Sequence, residues 1–298
     1  MISLSGSLVA LVTPFRADGE IDEQALKSLV QFHLANATDG IVPCGTTGEG
    51  ATLSAEETNK VVSIVLEEVD GRVPVIGGAG SNSTSDAVRR ASDMRKLGVD
   101  GVLSVAPYYN KPTQQGLYEH FRSVAEDGGA PVVVYNVPGR TASNILPDTV
   151  IKLAQLENII AVKEASGNLN QVMEILAGTS DITVLSGDDA LTLAMLILGA
   201  KGVISVVANE APALMHNLVR AGLEGDWEKA REYHYKLLPL MNSNFLETNP
   251  IPVKSALALM NKINETYRLP LVPPSQKTRN EMQKVLYRMG LLDPEEEA

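Results

Sequence analysis

Eight times along the first 222 residues, a short β-branched, apolar run is followed by a longer stretch with helical apolar spacing, and this alternation leaves few folds open. The strand-like runs are Leu8–Thr13, Gly40–Pro43, Pro74–Gly77, Gly101–Val105, Val132–Tyr135, Ile159–Lys163, Ile182–Leu185 and Gly202–Val206. Helical patterns occupy 23–36, 55–69, 83–97, 114–127, 147–155, 169–177, 189–198 and 211–222. Strands separated by helices of this length build βαβ units and hence a parallel sheet. Eight units predict an α/β fold closed as a (β/α)8 TIM barrel. The alternative is an open, doubly wound sheet, which would want a nucleotide fingerprint that the chain lacks. Beyond about residue 224 only helical patterns remain, over 226–246, 251–264 and 275–289, with Pro250, Pro252, Pro270, Pro273 and Pro274 at their joints. The expected organisation is a catalytic barrel over 1–224 and a helical C-terminal extension over 225–298. Its last residues, Glu295-Glu296-Glu297-Ala298, read as a frayed acidic tail.

Composition excludes several function classes. At 44% hydrophobic and 20% charged, the chain is too apolar for disorder. The longest apolar run, Leu193–Ala200, is under half of the roughly 20 residues that a membrane helix needs. Met1–Phe15 carries no basic residue ahead of its apolar stretch, so no secretory signal is expected and the reading is cytoplasmic. A single cysteine, Cys44, excludes an internal disulfide framework and makes a cysteine-based zinc site implausible. With 25 basic against 36 acidic residues the net charge is −11, which repels nucleic acid and anionic membranes. The nearest basic cluster, Val88-Arg89-Arg90 with Arg95-Lys96, has the spacing of a solvated helix face. An anionic substrate would therefore have to find its positive charge within the site.

In a barrel of this kind, active sites form at the C-terminal ends of the strands. The second strand ends in Cys44-Gly45-Thr46-Thr47-Gly48-Glu49-Gly50, where glycines admit a ligand to the backbone and threonines offer donors for a small carboxylate; as a plain Gly-rich turn it would cap the next helix. It lacks the Gly-Lys-Ser/Thr of a phosphate loop. Gly77-Gly78-Ala79-Gly80-Ser81-Asn82-Ser83-Thr84 reads more readily as a tight turn with helix N-caps than as a phosphate cradle. The fourth strand ends in Tyr108-Tyr109-Asn110, aromatic anchors that suit interfaces as well as sites. The fifth ends in Tyr135-Asn136-Val137-Pro138-Gly139-Arg140, in which Arg140 can clamp a carboxylate or form a surface ion pair.

The sixth strand, Ile159-Ile160-Ala161-Val162-Lys163-Glu164, is the most informative. Alternation places Ala161 and Lys163 on one face and Ile160, Val162 and Glu164 on the other. The β-branched pair belongs against the outer helices, so Lys163 points into the barrel. A lysine there is costly unless its amine is partly neutral, and a neutral amine is what attacks a carbonyl. A structural ion pair at the rim is the alternative role. Lys201 precedes the eighth strand, at the wrong end of the barrel, and Lys111 lies in a solvated loop. Ser186-Gly187-Asp188-Asp189 could bind a metal, but an aspartate N-cap suits the following helix better. No histidine ends a strand, and no His/Asp/Glu spacing suggests a metal.

Taken together, Gly45-Thr46-Thr47-Gly48-Glu49, Tyr108-Tyr109-Asn110, Tyr135-Asn136-Val137-Pro138-x-Arg140, Lys163-Glu164-Ala165 and Ser186-Gly187-Asp188-Asp189 stand at five strand ends. In order and spacing the chain resembles the dihydrodipicolinate synthase family of pyruvate-dependent, class I aldolase-type lyases. The likeness runs from about Leu4 to Leu292 and includes Asn249-Pro250-Ile251-Pro252-Val253-Lys254. It implies condensation of pyruvate with L-aspartate 4-semialdehyde to 4-hydroxy-tetrahydrodipicolinate, in lysine and diaminopimelate biosynthesis. By the same resemblance Lys163 forms the Schiff base, Tyr135 transfers protons, and Thr46 and Tyr109 complete a hydroxyl relay, Tyr109 from a neighbouring subunit. Thr47 and the backbone at Gly187 and Ile204 hold pyruvate, while Arg140 holds the semialdehyde carboxylate. The implied assembly is a homotetramer of tight dimers, with no metal or organic cofactor. N-acetylneuraminate lyase and sugar-acid aldolases share fold and lysine, and the sialic acid lyases carry a non-basic residue at the Arg140 position; a non-catalytic barrel would leave Lys163 unreactive. A lysine-binding regulatory site is implied at Ala51, Asn82, Asp86 and Tyr108. Strongly inhibited enterobacterial-type members carry histidines where this chain has Ala55 and Thr58, so weak inhibition is expected.

Overall fold

The computed structural model describes residues 4–292. Its eight strands are β1 (Gly6–Ala10), β2 (Gly40–Val42), β3 (Ile76–Gly78), β4 (Gly101–Val105), β5 (Val132–Asn136), β6 (Ile159–Glu164), β7 (Thr183–Ser186) and β8 (Gly202–Ser205). All ladders are parallel, and the hydrogen-bonded order runs β2-β1-β8-β7-β6-β5-β4-β3. The two ends of that order meet through an Ile41–Val75 bridge and a bond from the Gly78 N–H to the Pro43 carbonyl at 3.0 Å, so the sheet closes as expected.

Side-chain alternation divides the strands into two apolar sets. Leu8, Ala10, Val42, Ile76, Leu103, Val133, Tyr135, Ala161, Leu185 and Ile204 fill the interior. Val9, Ile41, Val102, Val134, Val162, Val184 and Val203 face outward and join the helices. β6 departs from the simple alternation. Val132 pairs with Ile159 and Val133 with Ala161, which leaves Ile160 unpaired in a bulge. Ile159 therefore belongs to the outer cluster, and Ile160, expected outside, packs against the interior set. The extra residue restores the register, so Ala161 and Lys163 still face inward.

The surrounding helices are α1 (Glu23–Ala35), α2 (Ala55–Val69), α3 (Thr84–Leu97), α4 (Gln114–Glu126), α5 (Pro138–Thr141), α6 (Pro147–Leu153), α7 (Leu169–Gly178), α8 (Thr192–Leu198) and α9 (Pro212–Glu224). Their starts are set locally: Asp22, Ser54, Ser83, Thr113 and Asn168 each accept a bond from a first-turn N–H, and Ser54 with Glu57 forms a full capping box. The four-residue α5, begun by Pro138, is absent from the sequence pattern and carries Arg140. β1 ends earlier than expected because Asn209 takes the Val12 N–H through Oδ1 at 3.1 Å.

The extension consists of α10 (Trp227–Ser243), α11 (Ile251–Leu259) and α12 (Gln276–Arg288). α10 packs on α9, and α12 on α10 and α11. Leu237, Leu240, Val253, Leu257, Met282 and Leu286 join the same hydrophobic cluster as the outer faces of the strands. Among the described residues no helix is long and apolar enough to cross a membrane. The acidic tail 295–298 lies outside the described residues.

Candidate active site

Tyr135 on β5 and Lys163 on β6 are directly paired, so alternation carries both side chains inward at the C-terminal end of the barrel. Lys163 is 5% exposed, and its Nζ stands 4.3 Å from the centre of the Tyr135 ring. Burial pushes its amine down to about 8; Asp189 pulls the other way, and Arg140 adds to the fall. A partly neutral amine at the floor of a pocket is a nucleophile. Room for it comes from Gly187: a Cβ there would lie 2.9 Å from Lys163 Cε and 2.8 Å from Ala165 Cβ. The Gly187 N–H already donates to the Glu164 carbonyl at 2.8 Å, so toward a ligand this residue offers space and its own carbonyl.

Burial also raises the Tyr135 phenol, while Arg140 and the neighbouring Thr46 hydroxyl favour its ionised form. Thr46 sits on the Gly-rich loop after β2. Cys44 (φ 57°) and Glu49 (φ 53°) take left-handed backbone in that loop. A Cβ on Gly50 would meet the Cys44 carbonyl oxygen at 2.1 Å, so the loop coils too tightly for any other residue there. Thr47 is buried, and its Oγ1 accepts from Asn249 Nδ2 at 3.0 Å.

Two adjoining cavities occupy this end of the barrel, with Thr46, Tyr135 and Arg140 in the walls of both. The inner one, about 120 Å³, reaches Thr47, Lys163, Ala165, Gly187, Val206, Phe245 and Asn249. The outer one, about 290 Å³, is lined by Gly50, Ala51, Arg90 and Tyr108 among others. Arg140 is exposed at the mouth and touches the chain through one bond, from Nη2 to the Asn249 carbonyl at 3.3 Å. An exposed guanidinium over an enclosed amine suits a substrate with a free carboxylate.

Thr46, Thr47, Tyr135, Arg140, Lys163 and Gly187 therefore converge on one space. Ile204 does not line it; it is 1% exposed in the barrel interior, and Val206 takes the wall position. Tyr109 is also apart, with backbone at φ 74° and the residue 90% exposed. Ala51 and Tyr108 face the outer cavity, Asn82 Nδ2 donates to the Tyr108 carbonyl at 3.2 Å, and Asp86 pairs with Arg89 at 3.1 Å. Asp188 caps the turn before α8 through Ala190 N–H, as its type suggests. Asp189 instead is buried, accepting from the N–H groups of Val206 and Val207 at 2.9 and 3.0 Å. Among the described residues no group of three or more His, Cys, Asp or Glu side chains is placed to hold a metal ion.

Glu164, expected on the outer face, is buried there in an amide network, accepting from Asn136 Nδ2 at 2.9 Å and from Gln171 Nε2 at 3.2 Å. Asn249 and Phe245 are site residues to which the sequence pattern assigns no role. For Asn249 the available signal is its place in the Asn-Pro-Ile-Pro-Val-Lys segment; for Phe245 there is none.

Known proteins resemble this chain over nearly its full length. Residues 3–289 match the model of the dihydrodipicolinate synthetase family. The chain is 53% identical over 288 residues to 4-hydroxy-tetrahydrodipicolinate synthase of Syntrophus aciditrophicus, covering 96% of this chain and 99% of that one. Among solved structures it is similar to dihydrodipicolinate synthase of Aquifex aeolicus, with TM-score 0.95, 48% identity and 97% and 99% of the two chains covered. It is also similar to the Acinetobacter baumannii enzyme, a structure complexed with pyruvate, with TM-score 0.96, 40% identity and 97% and 100% coverage. The match in sequence and in the barrel together places this chain in the dihydrodipicolinate synthetase family.

Proposed function

We propose that this chain condenses pyruvate with L-aspartate 4-semialdehyde to form 4-hydroxy-tetrahydrodipicolinate, acting in the cytoplasm in lysine and diaminopimelate biosynthesis. The observation that carries the reading is Lys163: a buried amine with a lowered pKa, stacked on a tyrosine at the floor of a cavity whose mouth holds Arg140. The part of the chain up to residue 224 supplies this catalytic barrel, and the extension beyond it contributes Phe245 and Asn249 to the wall of the site.

In this reading the neutral Lys163 amine attacks the pyruvate ketone, and loss of water leaves an iminium. Its positive nitrogen draws electrons from the methyl C–H bond, so the lysine itself is the electron sink. Tyr135 takes the methyl proton and returns one to the aldehyde oxygen as the enamine carbon bonds to the aldehyde carbon. Attack by the semialdehyde's own amine on the imine carbon then closes the ring and frees Lys163. Thr46 relays protons from Tyr135 outward to Tyr109 of a neighbouring subunit. Thr47 donates to the pyruvate carboxylate, Gly187 keeps the room for it, and Arg140 holds the semialdehyde carboxylate. Ile204 would contribute only through its backbone. A homotetramer of tight dimers gives the exposed Tyr109 a destination, and the exposed apolar side chains Ile197 and Met173 suit a further contact between dimers.

The test is borohydride trapping with pyruvate, read by intact mass and peptide mapping, followed by a coupled assay with aspartate semialdehyde. One pyruvyl unit per chain on Lys163, absent in Lys163→Arg, is expected. Labelling of Lys111 or Lys201 instead would overturn the assignment.

A further inference from the structure

Two buried side-chain bonds run from the C-terminal extension back to the loop that carries Thr46 and Thr47. Asn249, just ahead of α11, donates from Nδ2 to Thr47 Oγ1 at 3.0 Å. Lys254, within α11 and fully buried, donates from Nζ to Glu49 Oε1 at 2.6 Å, and Glu49 is itself buried. The ammonium lies 4.3 Å from the Phe15 ring centre and 5.3 Å from that of Tyr267. Glu49 Oε2 has no partner among the described residues, so Lys254 alone holds this carboxylate by a side chain.

A buried ion pair is a poor device for stability alone, since apolar residues of similar volume often serve a core as well or better. Its distinct contribution is direction, and the loop is a place where direction matters. Glu49 sits at one left-handed corner and Cys44 at the other, with Thr46 and Thr47 between them. Asn249 already donates into Thr47 Oγ1, so the Thr47 hydroxyl hydrogen must be donated elsewhere. Thr47 lines the same inner cavity as Lys163. A loop held at Glu49 and at Thr47 would keep that hydrogen aimed into the cavity.

We propose that Glu49 and Lys254 are positioning residues, through which α11 clamps the loop so that Thr47 presents an oriented donor to the carboxylate of the α-keto acid bound at Lys163. This rests on the assignment of Lys163 as the imine-forming residue. The barrel's wall would thereby be set, for one of the two substrates, by a helix that follows the barrel in sequence.

The decisive variant is the double substitution Glu49→Gln with Lys254→Met, which removes both charges together and leaves neither one buried alone. Expected are a melting temperature within a few degrees of the parent, a KM for pyruvate raised about tenfold, the order of one charge-assisted hydrogen bond, and a KM for the aldehyde substrate within about twofold. Half-maximal borohydride trapping should move to higher pyruvate by the same factor. A folded double variant with parental pyruvate KM overturns the proposal. So does a folded double variant in which the KM values for both substrates rise equally. If the double variant does not fold, Glu49→Asp decides, because it keeps the charges and shortens the reach. A raised pyruvate KM at near-parental stability supports the clamp, and an unchanged KM overturns it. Failure of the parent to trap pyruvate would instead overturn the Lys163 assignment, so the two failures are distinguishable.

Discussion

Lys163→Met should abolish turnover and, at neutral pH, make the protein more stable. Burial lowers the Lys163 amine from its usual 10.5 to about 8. At pH 7 the folded protein therefore holds a cation that its environment disfavours by about 3 kcal/mol relative to the unfolded chain. Methionine fills a similar volume without the charge. Against this stand the lost cation–π contact with Tyr135, worth about 1 kcal/mol, and an Asp189 deprived of a nearby cation. The net expected gain is about 2 kcal/mol, or roughly 3 °C in melting temperature for a chain of this length. The sign with pH follows from proton counting. Between about pH 8 and 10.5 the unfolded parent binds more protons than the folded one, so parental stability rises with pH across that window. The variant lacks the group, so its advantage should be full below pH 8 and shrink toward pH 10.5. Thermal or urea melts of both proteins at pH 7 and 9.5, at equal chain concentration, measure this directly. A variant that melts below the parent at pH 7, or an advantage that does not change with pH, would refute the view that Lys163 is held against its preferred charge state.

The other expectations concern the walls of the site. Gly187→Ala should reduce pyruvate trapping at least tenfold, because the new methyl falls 2.9 Å from Lys163 Cε; trapping at the parental rate would mean that the lysine can retreat. Arg140→Ala should leave pyruvate trapping intact and weaken use of the semialdehyde by about 2–4 kcal/mol in kcat/KM, and near-normal semialdehyde kinetics would return Arg140 to the surface. Tyr109→Phe chains mixed with Lys163→Arg chains should regain activity on subunit exchange, since hybrid dimers would hold one intact site; no recovery would refute the cross-subunit role. Inhibition by lysine should be weak, with half-inhibition in the millimolar range or absent in initial rates at sub-saturating pyruvate. The roughly 210 Å³ cavity beside Ala55 and Thr58 is lined by Arg89, Arg90 and Asp93, and because Arg89 already pairs with Asp93, the cavity leaves no free carboxylate for a ligand ammonium. Half-inhibition well below a millimolar would contradict that.

The period-two pattern of each strand and the caps of each helix are local properties, so barrel, strand ends and an inward Lys163 are legible in the sequence alone. Periodicity cannot report the state of the neighbouring strand: the bulge at Ile160 arises because β5 and β6 must bring Ala161 beside Val133, a matter of register between two chain segments. Nor does it reveal which polar groups meet. Asn249 reaches Thr47 across 202 residues and Lys254 reaches Glu49 across 205, and nothing in either segment announces its partner. The glycine at 187 is legible as a turn residue, whereas its need to be bare is set by the lysine on the adjoining strand. Tyr109 marks the far edge of the same distinction. Its residue type suggests an anchor, but only the folded chain shows the residue exposed, so that its contacts depend on what packs against it. Local chemistry determines which elements form and which way their side chains alternate; closure of the barrel, and the distant segments it brings together, decides which of those side chains become a site.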